Sequence, residues 1–483
     1  MNYSLITLEI LVVLAGLALL LVDLWTPAEN KKRLGYYAAG ALGLVFLLSF
    51  AKFTGAGGSG LAFGGMFLQD SLALFFKRFF LLAAILVLLM SVEFADRFEA
   101  GIAEYYALIL FALSGMMVAA SANDFILVFV ALELITVTFY VLTSFQRRRV
   151  QSLEAGVKYL ILGALAAAFM VFGIALIFGT ANTTNFSELA GKARDLAQKP
   201  LFLVGLVLVL VGLGFKIAAV PFQIWVPDVY QGAPTPTTAF LAVGSKAAGF
   251  ALLLRMLFSA VPDVALGWEK LLMIVAAVTI LYGNLCAIPQ RNLKRLLGYS
   301  SIANAGYMLL GIAALTPAGS TAILYFLAGY LFTLLAAFTV IALVARHAET
   351  EDISTLAGLN QRSPLLAASM TLAMISLAGV PPLAGFFGKF LLLKAVAEQA
   401  VSYWPYWWLL AVAIVGVVIS LYYYFGVIRA IYWSRETPDL TPIEVSRPIR
   451  YALYACVTGM FYLGLFPGAV VNLATEAVKV LKF

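Results

Sequence analysis

The sequence predicts an all-α polytopic membrane protein of about fourteen transmembrane helices, with two inverted five-helix repeats and discontinuous helices 7 and 12. Three observations predict it. The 483 residues are 63% hydrophobic and only 11% charged, with a mean hydropathy of +0.99, whereas a soluble domain is roughly 45–50% apolar. Apolar runs of about 20 residues, the length that crosses a bilayer, recur with short polar links between them. Two of these runs, five apart in order, are interrupted by proline and carry a lysine. No stretch is long and polar enough for a separate soluble domain, so residues 1–483 read as one membrane domain.

Spans are expected to begin near residues 5, 35, 72, 104, 123, 155, 201, 235, 269, 298, 320, 364, 405 and 450. Residues 5–25 read as the first span and not as a cleaved leader. They lack a basic start and an A-x-A-like site, and Glu9 and Asp23 flank the apolar core. The expected grouping is helices 1–3 over 1–100, a first repeat of helices 4–8 over 101–260, a second of helices 9–13 over 261–434, and helix 14 over 435–483. An even number of spans puts both termini on one side. The basic links "ENKKR" (29–33), "QRRR" (146–149) and "PQRNLKR" (289–295), with Arg429, Arg435, Arg447 and Arg450, all fall on the other face. That face is expected to be cytoplasmic, leaving the termini on the outer, periplasmic side of an inner (plasma) membrane. Lys192, Arg194 and Lys199 run against this bias. The run "YWPYWW" (403–408) has the composition of an interfacial aromatic belt.

The seventh span contains Pro221 and Pro227, and "GVPPLAGFFGKF" (379–390) interrupts the twelfth. Pro364 to Glu398 would be about 52 Å of continuous helix, against a bilayer core of roughly 30 Å, so that region must break or tilt strongly. Interrupted spans in corresponding halves point to a transport site built on inverted repeats.

Four charges stand where hydrocarbon is expected. Glu133 lies nine residues past Asp124, about 13.5 Å into its span, and Lys246 lies eleven past Thr235. Lys216 and Lys389 adjoin the two breaks. Each central charge costs roughly 2.5–3.5 kcal/mol on insertion scales, so the four require pairing or hydration. A lysine removed from water holds its proton less tightly, and a nearby carboxylate reverses that. Glu133 and Lys216 are the expected pair, with Lys246 and Lys389 continuing a path for protons and water. The competing reading for any one of these lysines is a structural ion pair. Lys158, four residues after Glu154, fits a helix-surface pair as well as a relay. Lys394 with Glu398, and Arg255 near a span end, are expected to snorkel to an interface. His347, in "ARHAETED", is expected to be solvated.

Composition also excludes classes. Cys286 and Cys456 are far apart in apolar segments, and His347 is the one histidine, so no disulfide, metal, haem or iron–sulfur ligand set is indicated. The net charge of +7 comes from residues at span ends and does not call for nucleic acid. "GAGGSG" (55–60) matches G-x-G-x-x-G but follows a membrane span with no strand before it, so no nucleotide site is expected there.

The motifs "KIAAVPFQIWVPDVYQGAPTP" and "TAFLAVGSKAAGFALLLR" resemble the antiporter-like membrane subunits of respiratory complex I, and "DVYQGAP" is the form found in the subunit N branch. "NLKRLLGYSSIANAGY" (292–307), "LAGVPPLAGFFGKF" (377–390) and "SLYYYFGVIRAIYW" (420–433) extend the similarity over nearly the whole chain. The resemblance implies a proton-translocating subunit of an NADH–quinone oxidoreductase that binds no redox cofactor of its own. NADH, FMN, iron–sulfur clusters and quinone would belong to partner subunits. The partners implied are other membrane subunits, including antiporter-like neighbours, and the bilayer, with no nucleic acid. It also places Glu133, Lys216, Lys246 and Lys389 on the family's central axis, with Lys158 beside them. Asn304 stands where the family often has histidine, so that step would need bound water. Two alternatives remain open: a subunit of a multisubunit sodium–proton antiporter or membrane hydrogenase, and a non-transporting scaffold subunit.

Overall fold

The computed structural model describes residues 3–51, 59–98, 101–348, 350–433 and 440–483. Most of "GAGGSG", Arg435 and the side chain of His347 lie outside the described residues.

A helix or helix pair occupies each of the fourteen expected positions. In order these are α1 (Thr7–Asp23), α2 (Leu34–Leu48), α3 (Ser71–Phe94), α4 (Ile102–Ala120), α5 (Phe125–Thr143) and α6 (Val150–Ala181). After an amphipathic α7 (Phe186–Leu196) come α8 (Pro200–Ile217) and α9 (Trp225–Gly232). The eighth span is one rod from Thr235 to Ala260, built of α10 (Thr235–Phe240), a π segment (Leu241–Ser245), α11 (Lys246–Arg255) and a second π segment (Met256–Ala260). Then follow α12 (Pro262–Gly267), α13 (Glu269–Ala287), α14 (Leu293–Ala313), α15 (Pro317–Val344), α16 (Leu359–Arg362), α17 (Pro364–Ala378), α18 (Ala384–Ala400), α19 (Pro405–Trp433), α20 (Arg447–Leu465) and α21 (Gly468–Val478). Eleven described helices are long and apolar enough to cross a membrane, and α20 with α21, bent by 81°, makes a twelfth. The remaining two positions hold α2, at 15 residues, and the broken pair α17 and α18. A short hairpin of β1 (Gly60–Ala62) and β2 (Phe67–Gln69) precedes α3, with Leu61 opposite Leu68.

Both expected breaks are present, and they match. α8 ends at Ile217, Ala218 takes a left-handed backbone (φ 63°), and Pro221 follows three residues later. α17 ends at Ala378, Gly379 is left-handed (φ 82°), and Pro382 follows three residues later. The Val220–Pro221 and Pro381–Pro382 peptide bonds are cis. Pro227 differs from expectation. It sits in the first turn of α9, where a missing N–H removes no helical bond, so it continues the helix and breaks nothing.

The sequence pattern did not distinguish central from peripheral spans. The rod from Thr235 to Ala260 is enclosed throughout, and α14 and α15 nearly so, while α6 and α19 present broad apolar faces outward. Close approach uses small residues, as membrane packing requires: a Cβ on Gly205 of α8 would lie 2.9 Å from the Gly173 carbonyl oxygen of α6. The basic links do gather at one face. Lys32 pairs with Asp96, Arg346 with Glu93 at 2.8 Å, and Arg149 with Glu351 at 3.5 Å. At the opposite end of α19's neighbourhood, Trp404 and Trp408 stand exposed as a belt would. Lys192 and Arg194, which run against the charge bias, lie on α7, whose other face buries Phe186, Leu189, Ala193 and Leu196.

Candidate functional site

The four central side chains project from four different spans. Lys216 ends α8, in the last turn before the break, and is 4% exposed. Its ammonium group donates to Thr136 Oγ1 of α5 at 2.9 Å. Glu133 lies one turn before Thr136 and is half-buried. The expected direct pair is therefore not an ion-pair contact. Threonine holds the lysine, and Glu133 stands one turn away on the same helix as that threonine. Lys216's stem packs at Gly249, one turn beyond Lys246, where a Cβ would lie 3.4 Å from Lys216 Cγ and 2.7 Å from Ile217 Cγ2.

Lys246 opens α11 directly after a π segment, a local widening frequent at functional sites. It is 2% exposed, and its Nζ donates to Ser301 O at 2.7 Å and to Ser301 Oγ. Ser301 Oγ also meets Tyr230 OH of α9 at 3.2 Å. On the preceding position of α14, Ser300 Oγ meets Tyr424 OH, and Asn304 Nδ2 donates to Ser300 O at 2.9 Å. Lys389 is on α18 but reaches back across the break. Its Nζ donates to Leu377 O at 2.7 Å, among the last carbonyls of α17, and lies 4.9 Å from the Tyr307 ring centroid. A helix C-terminus carries partial negative charge and an aromatic face attracts a cation. Each break thus presents a half-helix C-terminus to one lysine, Lys216 by its place in α8 and Lys389 by reach.

The buried cations fall into two sets. Lys216, Lys246 and Lys389 have no carboxylate oxygen within 4.0 Å among the described residues and are held by neutral oxygens. The others are paired. Arg255 is 1% exposed and grips Asp70 through two bonds, Nη1 to Oδ2 at 3.0 Å and Nη2 to Oδ1 at 2.7 Å, with Nε on Ala120 O. This corrects the expectation that Arg255 snorkels: its side chain is enclosed within the packing of the eighth span, and Asp70 at the start of α3 neutralises it. Lys77 of α3, fully buried, pairs with Glu9 of α1 at 2.6 Å and bonds Gln69. Lys294 pairs with Glu351 at 3.0 Å and donates to Ala233 O, just past the end of α9. The sequence reading passed over Lys77 and Lys294. "FFKRFF" inside an apolar run was the signal for the first, and Lys294 was grouped with the basic link. Lys158 lies at the helix surface, bound to Glu154 and Asp228, each at 2.7 Å, with Arg295 on the other Asp228 oxygen. None of its partners belongs to the axis. Lys394 and Glu398 are an exposed pair at 3.7 Å, as expected.

Glu351 lies in the loop before α16. Burial pushes its carboxyl pKa up, but Lys294 and Arg149 outweigh that and hold it below the usual carboxylate value. A depressed pKa contributes stability that is present above the unfolded value and lost as pH falls through the folded one. The melting temperature is therefore expected to drop on acidification below about pH 4, and more shallowly in Glu351→Gln, in a pH series of melts.

The NADH:quinone oxidoreductase/Mrp antiporter transmembrane family matches residues 122–420. A protein of Desulforamulus reducens named NADH-quinone oxidoreductase subunit N is 40% identical over 479 residues, covering 99% of this chain and 98% of its own. The chain belongs to the NADH-quinone oxidoreductase subunit N family. A second such protein, from Trichlorobacter lovleyi, is 40% identical over 483 residues, covering 99% of this chain and 98% of its own. A chain of respiratory complex I from Thermus thermophilus superposes with a TM-score of 0.80 at 35% identity, covering 97% of this chain and all of that one. The Mrp complex of Dietzia sp. supplies a match of TM-score 0.87 at 20% identity, covering 99% and 97%, a likeness of fold.

For this member of the subunit N family, Gly249 offers a test of the lysine's seat. Gly249→Val is expected to press first on Ile217 and through it on Lys216's stem, and to lower proton pumping more than Gly249→Ala. The readout is NADH-driven acidification by complexes matched for assembly.

Proposed function

We propose that this chain is the proton-translocating subunit N of an NADH–quinone oxidoreductase, in which Glu133, Lys216, Lys246 and Lys389 carry protons along the membrane's midplane. The observation that carries the reading is the unpaired state of the three lysines. A buried charge kept for architecture is normally paired, because removal from water costs several kcal/mol per ion. Arg255, Lys77 and Lys294 follow that rule. Lys216, Lys246 and Lys389 depart from it on three spans, each held by neutral groups that serve an ammonium and release an amine.

In this reading Glu133 biases Lys216 toward its charged form, Thr136 orients it, and movement of that bias frees the proton toward Lys246. The α8 and α17 termini stabilise positive charge at the breaks. Lys389 connects the axis to one membrane face. Residues 101–260 and 261–434 form the two repeats. Lys158, with Glu154, Asp228 and Arg295, adjusts the axis from its edge. NADH, FMN, iron–sulfur clusters and quinone belong to partner subunits, antiporter-like neighbours adjoin this chain, and the termini face the outside of the plasma membrane.

The test is purification of the chain from its native membrane. Flavin and iron–sulfur subunits are expected to accompany it, and proteoliposomes of the isolate should acidify internally when NADH reduces quinone. Recovery with sodium–proton antiporter subunits alone, and no NADH oxidation, would overturn the assignment.

A further inference from the structure

Tyr330 of α15 is 4% exposed, and its hydroxyl is buried without a hydrogen-bond partner. A buried hydroxyl left without a partner is costly, so its retention there needs a reason. Two neighbours supply one. On one side stands Ser301, whose Oγ receives Lys246 Nζ and lies near enough to interact with the Tyr330 hydroxyl without making a well-formed hydrogen bond to it. On the other is a small cavity, about 10 Å³ in space open to a water centre, lined by Tyr330, Asn304, Thr333, Ser376 and Lys389 among others. That is roughly room for one water.

The other polar groups around this spot are engaged. Thr333 Oγ1 and Ser376 Oγ bond each other at 2.9 Å, and Thr333 Oγ1 also bonds Gly329 O. Asn304 Nδ2 is on Ser300 O. Of the nearby phenols, Tyr230 is bound to Ser301 Oγ and Tyr424 to Ser300 Oγ. Tyr330 carries the unpartnered hydroxyl at this spot, on the wall of the cavity that Lys389 also lines.

We propose that Tyr330 is a proton-relay residue joining Lys246 to Lys389, an inference that rests on the reading that these lysines exchange protons. A phenol both donates and accepts, so it can pass a proton without storing charge. The proton of Lys246 Nζ moves to Ser301 Oγ. The serine hydroxyl's own proton moves to the Tyr330 oxygen, the phenol's proton to one water in the cavity, and a proton of that water to the neutral amine of Lys389. Every oxygen ends with as many protons as it began with. Lys246 becomes an amine and Lys389 an ammonium, and rotation of the hydroxyls resets the line. Asn304 holds the cavity wall and stores no proton.

Tyr330→Phe removes one oxygen and keeps the ring. In the complete oxidoreductase reconstituted into vesicles, it should assemble and lower NADH-driven proton pumping by about tenfold or more. Pumping within about twofold of the unaltered complex would overturn the relay. Should the phenylalanine variant fail to assemble, 3-fluorotyrosine at position 330 decides, since it has nearly the same size and a more acidic hydroxyl. The rate of pumping at fixed pH is expected to change with the hydroxyl's altered proton affinity, and a rate equal to that of the unaltered complex would overturn the relay. Lys389→Ala, measured alongside, separates the two levels. Normal pumping in Tyr330→Phe with loss in Lys389→Ala removes the relay alone, whereas normal pumping in both removes the underlying reading as well.

Discussion

Lys216→Ala is expected to leave an assembled complex whose NADH-driven proton pumping is at least about tenfold lower, the scale on which a proton-transferring side chain contributes. The effect follows from position. Lys216 joins α5 to the eighth span, with Thr136 on its ammonium group and Gly249 against its stem. Lys216→Arg sharpens the test. Arginine keeps the positive charge but does not give up its proton, so a relay predicts loss comparable to alanine, while a merely structural charge predicts retention. Thr136→Val should have a smaller effect, because it removes the orienting bond and leaves the amine. Proton-to-electron stoichiometry in vesicles, with assembly checked on native gels, gives the measurement. Unchanged stoichiometry in Lys216→Ala, or in a variant with both Glu133 and Lys216 made apolar, would leave the scaffold reading standing in place of transport.

The largest stability effect is expected at Asp70. Its carboxylate accepts two bonds from Arg255 and also caps α3 through Ala73 N at 2.8 Å. Asp70→Ala leaves a guanidinium unpaired on an enclosed span, at a cost of about 3–5 kcal/mol, and removes a cap of about 1 kcal/mol. The Glu9–Lys77 pair lies in the same electrostatic neighbourhood, so the damage extends to how α1 and α3 sit against the eighth span. Poor assembly and a lowered melting temperature in detergent are expected. Asp70→Asn keeps the cap and should lose nearly as much. Replacing both partners with apolar residues, Asp70→Leu with Arg255→Met, should recover much of the loss, because a buried pair stabilises little relative to well-packed hydrophobic residues. A melting temperature unaltered by Asp70→Ala would show that the pair is dispensable.

Much of the candidate site was readable because hydrocarbon is an unforgiving solvent. Glu133, Lys216, Lys246 and Lys389 stand out in apolar runs, and Pro221, Gly379 and Pro382 mark the breaks. Misreadings arose where a residue's meaning depended on a distant neighbour. Arg255 resembled a snorkelling residue until Asp70, 185 positions away, supplied its partner. Lys158 and Glu154 were visible as an i,i+4 pair, but Asp228 joins them only because α9 packs on α6. Pro227 looked like a second breaker, and its harmlessness depends on where α9 begins. The 81° bend between α20 and α21, the amphipathic α7 and the π segments around α11 were not anticipated.

The amino-acid order by itself determined the membrane class, the positions of the spans, the two interruptions and the presence of charges within apolar spans. These follow from transfer energies and local backbone preferences, which act residue by residue along the chain. Only the tertiary structure decided which buried cations are neutralised and which are not: Arg255, Lys77 and Lys294 meet carboxylates, while Lys216, Lys246 and Lys389 meet hydroxyls and helix ends. The physical reason is that pairing depends on which faces of distant helices are brought within a few ångströms, and hydropathy has no memory of facing.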